Sequence, residues 1–186
     1  MVKLEAVAIG ESEPAPLLTL VVGPSEDSKK TGETKKELAE RHLQRRAFWE
    51  SLLRLSNART KLFSAVSPSH DTWIGAGAGR SGLSFNYVVN QHVARAELYI
   101  DAGKDSEVWN RVQFQSLANH RNDIEEAFGE ALVWDVKESR RACRISSIPL
   151  SKGYTDAAEW PSIQEDMVDA MARLEKVLRP YLTASQ

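Results

Sequence analysis

A single cysteine, Cys143, stands among the 186 residues, so no internal disulfide can close. The four histidines, His42, His70, His92 and His120, show no paired ligand spacing, which speaks against a structural zinc site; no metal or other cofactor is expected. Long apolar runs are lacking, since none approaches the about 18 residues that a membrane span needs. The opening Met1-Val2-Lys3-Leu4-Glu5 does not have the charged-then-apolar order of a signal peptide, and a cytoplasmic protein with no membrane partner is expected. Charge of one sign is also missing. Lysine and arginine number 24 against 26 aspartates and glutamates, a formal charge of -2, so a chain-wide basic excess that would drive non-specific nucleic-acid binding is excluded. With 42% hydrophobic and 27% charged residues, the composition is that of a globular protein, and collagen-like or mostly disordered readings fall away. A chain this long buries roughly 70% of its unfolded surface without a covalent or metal staple.

What is present reads as an α+β domain with appendages. Residues 4–9 and 17–22 are short apolar stretches separated by Pro14 and Pro16, and they predict an N-terminal β-hairpin over 1–24. Residues 25–35 hold no apolar anchor and read as a polar linker. From about Thr34 to about Asn57 the spacing of Phe48, Trp49, Leu52, Leu53 and Leu55 predicts a helix, wet in its first half and packed in its second. Leu83, Phe85, Tyr87 and Val89, then Ala94, Ala96, Leu98 and Ile100, alternate with polar neighbours as two antiparallel strands do. A helix is expected over 105–128, closed by Gly129. A second hairpin follows, with one strand from Leu132 and another over 141–150. The last helix starts at Pro161 and carries Ile163, Met167, Ala170, Leu174, Val177 and Tyr181 at spacings of 3 and 4. Hairpin-length connections between strands imply an antiparallel sheet of about five strands packed by three main helices, the α+β body covering 36–182.

Four local patterns bear on chemistry. The glycine run from Gly75 to Gly82 resembles a phosphate loop in composition, but a strand follows it where Walker and Rossmann loops require a helix N-terminus. The kinase arrangement keeps the right flanks, yet no H-R-D or D-F-G element accompanies it, so a turn between strands is the better reading. Asp135-Val136-Lys137, with Glu97 and Asp101, has the residue types of a magnesium-dependent nuclease, although a long helix separates the two strands in sequence. Lys137, Arg140, Arg141 and Arg144, joined by Arg80, form a basic grouping suited to phosphate oxygens, with Trp134 and Tyr99 as stacking neighbours. Arg41, His42, Arg45 and Arg46 lie on the wet half of the first helix and read as a solvated face. No G-x-S-x-G elbow exists, and Cys143 falls in a buried strand register, so no catalytic nucleophile is assigned.

Phe48-Trp49, Gly79-Arg80-Ser81-Gly82-Leu83, Glu97-Leu98-Tyr99-Ile100, Asn110 with Phe114 and Leu117, Ile124-Glu125, Phe128-Gly129, Leu132 with Trp134, and Arg144-Ile145 together resemble an uncharacterised bacterial and archaeal family. It is a domain of unknown function often found C-terminal to a PD-(D/E)XK-type nuclease module. Residues 4–24 resemble the segment that bridges the two. The nuclease module is not in this sequence, and at Trp134-Asp135-Val136 the relatives tend to carry Trp-Glu-Arg, so any shared role of that strand is weakened. The resemblance implies a setting of nucleic-acid processing but no mechanism. The expected role is therefore a non-catalytic module that binds DNA or holds a nuclease domain or subunit on it, through Arg80, Lys137, Arg140, Arg141 and Arg144. Two alternatives stand beside it: a protein-interaction or homodimerisation domain, and a magnesium-dependent nuclease.

Overall fold

The computed structural model describes residues 2–7, 15–20, 26–136 and 139–183. The chain divides into two compact units, Met1–Arg41 and His42–Gln186. In the first, β1 (Val2–Val7) and β2 (Ala15–Leu20) form the expected hairpin, with Val2 opposite Leu20 and Ala6 opposite Pro16. Proline is admitted because it lies at the start of a strand in a two-stranded ribbon, where alternate N–H groups point away from the partner. Helix α1 (Glu26–Arg59) begins well before Thr34 and takes in almost all of the expected linker. The Lys- and Glu-rich sequence of this stretch favours a helix even though it has no apolar face.

The second unit is the α+β body. Strands β3 (Trp73–Gly77), β4 (Leu83–Val89) and β5 (Ala94–Ile100) precede helices α2 (Glu107–Ala118) and α3 (Arg121–Phe128). Strands β6 (Val133–Asp135) and β7 (Cys143–Ser146) follow, and α4 (Trp160–Thr183) ends the body. The five strands pair antiparallel in the order β3-β4-β5-β7-β6, so the second hairpin docks on β5 by its later strand. The fold is α+β, as the alternation predicts. Three details differ from expectation, the first being that β7 keeps only Cys143–Ser146 of the strand expected over 141–150. Strand β3 was hidden because its centre, Gly75-Ala76-Gly77, has no side chains large enough to display a two-residue period. The single helix expected over 105–128 is two, broken at Asn119 and His120, where the polar Asn119 caps α2 and Gln115 Nε2 donates to its Oδ1. Gly129, at a φ of 92°, closes α3 as expected.

Among the described residues of this unit, the apolar packing is on one side of the sheet. Phe85, Tyr87, Val89, Leu98, Ile100 and Ile145 are fully buried against Phe48, Trp49 and Leu52 of α1, Ile124 of α3, and Met171, Leu174 and Leu178 of α4. Polar ties fix the helices in place. Gln164 Nε2 of α4 donates to Phe48 O at 3.1 Å and to Ser51 Oγ at 2.7 Å, and Ser56 shares a 3.0 Å hydrogen bond with the Tyr87 hydroxyl. Asn110 of α2, with no exposed surface, clamps one end of the sheet: its Oδ1 accepts from Ala102 N at 3.0 Å, and its Nδ2 donates to Ser106 Oγ and to Arg141 O. None of the described helices is long and apolar enough to cross a membrane.

The glycines of β3 differ in what they permit. A Cβ on Gly75 would stand 2.3 Å from Asn86 Oδ1, whereas one on Gly77 would meet nothing within 4 Å. Gly75→Ala is therefore expected to destabilise the domain by about 1–3 kcal/mol through overpacking. Gly77→Ala should be neutral or slightly stabilising; urea denaturation of the two variants measures the difference.

Candidate functional site

The two-residue period that sends Phe85 and Leu98 toward the helices sends their neighbours to the opposite face. Within the second unit no described helix covers that face. Its side chains fall into cross-strand rows: Trp73, Val88 and Arg95; then Gly75, Asn86, Glu97 and Ser146; then Gly77, Ser84, Tyr99, Arg144 and Asp135. Between them lies a hollow of about 310 Å³ lined by residues from β3, β4, β5 and β7.

Its floor is polar and buried. Asn86 is 4% exposed and Glu97 3%, and they face each other in register on β4 and β5. Glu97 Oε2 accepts from Arg95 Nε at 2.8 Å; among the described residues its Oε1 accepts nothing. Asn86 Oδ1 is buried with no hydrogen-bond partner. A buried amide oxygen without its donor costs about 1–3 kcal/mol, so Asn86 is the under-satisfied group of this floor.

The rim supplies rings and guanidinium groups. Trp73 is 52% exposed, and its indole Cζ3 would lie 3.3 Å from a Cβ on Gly75, so the ring leans over the glycine toward Asn86. Tyr99 borders the other side; burial, with Asp101 nearby, raises its phenol above the ordinary value and keeps it neutral. Arg144 forms an ion pair with Asp135 at 3.4 Å, too poorly aligned for a hydrogen bond from its buried Nε.

The expected arginine grouping is partly assembled. Arg144 reaches the hollow. Arg141 is held at the end of β5 by Asp101, with its Nε and Nη2 each 2.7 Å from a carboxylate oxygen. Arg80 turns the other way, onto the helix layer, where it donates to Gln113 Oε1 at 2.9 Å and lies over the Trp109 ring. Arg140 is exposed beside Arg141, and Lys137 lies outside the described residues. On α1, Arg41 and Arg46 pair with Glu37 and Glu50 one turn away, as expected of a solvated face, but Arg45 is half-buried over the Tyr154 ring and His42 packs against His70, so only part of that stretch is solvated.

The acids proposed for a metal separate. Strand β7 lies between Glu97 on β5 and Asp135 on β6, and Glu97, Asp101 and Asp135 are each paired with a different arginine. Among the described residues no three His, Cys, Asp or Glu side chains converge as metal ligands. Trp134, expected as packing or as a stacking ring, lies on the helix side of the sheet and donates to Glu125 Oε1 at 2.9 Å. The glycine run forms no phosphate loop: Gly75 and Gly77 are in β3, and Gly79 and Gly82 take positive φ in the turn before β4.

Sequence reasoning missed Trp73, Asn86 and Arg95 as site residues. Asn86 and Arg95 sit on the polar phase of strands whose apolar phase was plain, and Trp73 precedes Gly75 by the two residues that place both on one face.

Residues 44–182 match the model of a family described as a domain of unknown function, DUF4268. The chain belongs to the DUF4268 family. No curated protein and no solved structure gives a significant match. Every residue that lines the hollow falls inside the DUF4268 segment.

The Asp101–Arg141 pair anchors the end of this face, and it titrates. Hydrogen bonding from Arg141 holds the Asp101 carboxyl below its ordinary value, against the opposing effect of burial and with help from Gly103 N. A lowered folded value means that the stabilisation is present above the unfolded value of about 3.9 and is lost as pH falls through the folded one. Asp101→Asn should therefore melt below the unaltered protein at neutral pH. The gap should close as pH drops below about 4, as thermal denaturation across pH would record.

Proposed function

We propose that this DUF4268 domain is a non-catalytic nucleic-acid-binding module whose contact surface is the open face of its sheet. The observation that carries the reading is the hollow itself: aromatic side chains and arginines around a floor of buried polar groups that includes the unpartnered Asn86 Oδ1, on a face that no described helix of the second unit covers. Single-stranded nucleic acid is recognised in this way, by stacking of unpaired bases on aromatic rings over a sheet and by polar groups that reach the base edges. The charge balance favours a single strand over a duplex. Arg95 and Arg144 are each matched by a carboxylate, which leaves little net positive field for the phosphates of a double helix. Arg140, with no carboxylate partner among the described residues, is available as a peripheral phosphate contact, whereas Arg80 is turned onto α2 on the other side of the sheet. The resemblance to domains that accompany PD-(D/E)XK nucleases gives the module a natural task, holding a strand for a nuclease domain or subunit to act on.

A second reading, docking of a partner protein or a second copy, is favoured by Val108 and Val112, which stand exposed one turn apart on α2. A dimer seen by light scattering and lost in Val108→Asp would support it.

The primary reading is tested by fluorescence anisotropy with labelled single- and double-stranded oligonucleotides across a salt series. Single strands should bind more tightly, with a salt slope of about -1.4 or shallower, the value for two phosphate contacts on a single strand. Trp73→Ala should weaken binding roughly tenfold, the worth of one stacked base. Absence of binding to either form at low salt would overturn the reading.

A further inference from the structure

We propose that the hollow over Asn86 and Glu97 is a pocket for one unpaired guanine base; this deepens the nucleic-acid reading above and rests on it. The pair stands side by side across β4 and β5, so the amide and the carboxylate meet a ligand along a single edge. Glu97 sets the demand. Its Oε2 takes one donor from Arg95 and its Oε1 takes none, so a ligand that fits must bring N–H groups to a nearly buried carboxylate. Asn86 adds an amide whose Oδ1 has no partner and whose other end can donate.

The Watson–Crick edge of guanine meets the carboxylate and the N–H end of the amide. Its N1–H and exocyclic N2 amine donate in parallel to a carboxylate, and the adjacent O6 accepts from an amide N–H. Adenine and cytosine offer one amine beside a ring nitrogen that accepts, so one of the carboxylate's contacts becomes lone pair against lone pair. Thymine flanks its single N–H with two carbonyl oxygens and is the poorest match. The volume, about 310 Å³, lies at the small end of ligand sites and suits one base rather than a run of them. The Asn86 amide and the exposed indole of Trp73 close over Gly75, which sets the indole beside the floor as a stacking surface.

The test compares the full chain's affinity for a short oligothymidylate with its affinity for the same oligomer carrying one central guanine, hypoxanthine or adenine. Guanine should raise affinity about tenfold over thymine, and hypoxanthine, which lacks the N2 amine, should recover only part of that gain. Glu97→Gln, checked for folding by circular dichroism, should reduce the guanine advantage to under twofold. A parallel measurement follows quenching of tryptophan fluorescence by guanosine monophosphate and by inosine monophosphate, with Trp73→Phe assigning the signal. Equal affinity for all four oligomers would overturn the pocket and leave the nucleic-acid module standing. Quenching that prefers guanosine monophosphate, with no oligomer bound, would uphold the pocket and overturn the module. Binding of neither overturns both.

Discussion

The two-residue period of β4 and β5 governs the whole molecule, because it makes opposite demands on the two faces of one sheet. Phe85, Tyr87, Leu98 and Ile100 must be covered, and the packed parts of α1, α3 and α4 cover them. Once the described helices of the second unit are committed to that side, Ser84, Asn86, Arg95, Glu97 and Tyr99 are left to make an environment of their own. They do so by lateral contact: Arg95 folds onto Glu97, Arg144 onto Asp135, and Trp73 leans inward over a glycine. The result is a face that no described helix of the second unit covers, whose central residues are nonetheless as buried as a core.

That burial separates two kinds of polar group. Glu125 is hydrogen-bonded by Leu132 N, Trp134 Nε1 and Arg121 Nε; burial alone would raise its carboxyl, but those donors outweigh it and hold it low. Asn110 makes three hydrogen bonds and joins α2 to the ends of β5 and β7. These side chains have what a structural role requires. Glu97 has one donor and Asn86 Oδ1 none, although both are as buried as Asn110 to within a few per cent. Local rules are most often broken where a ligand completes them, so the contrast between Glu125 and Glu97 is more informative than the presence of either carboxylate alone.

Much of the fold was legible from side-chain periodicity. Strands β4 and β5 announce themselves by strict alternation, and α4 by apolar residues at spacings of 3 and 4. Glycines carry no such signal, which concealed β3 and with it the site's aromatic rim. The break at Asn119 leaves the apolar period nearly in phase across Leu117 and Ile124, so the sequence reads through it. The site was only half visible. Glu97, Tyr99, Arg144 and Asp135 stood out as charged or aromatic residues, but their meaning depended on the strand order, a long-range property that no local pattern encodes. Placing β7 between β5 and β6 takes Asp135 away from Glu97, which dissolves a metal site and leaves Arg144 facing the hollow.

The same strand order shifts the weight of recognition from charge to shape and hydrogen bonding. Guanidinium groups that hold phosphates by Coulomb attraction need to be in excess of the acids around them, and here Arg95, Arg141 and Arg144 are each matched to one carboxylate. An ion pair laid across a sheet still does something an isolated arginine cannot: it fixes the carboxylate in one orientation and shields it from water. A carboxylate so held, beside an amide lacking its partner, discriminates by the number of N–H groups a ligand presents. A ligand without them leaves the floor as unsatisfied as before while displacing whatever water had access to it. Selectivity then comes chiefly from the cost of a wrong fit, and it needs only two side chains, provided that neighbouring strands keep them in register.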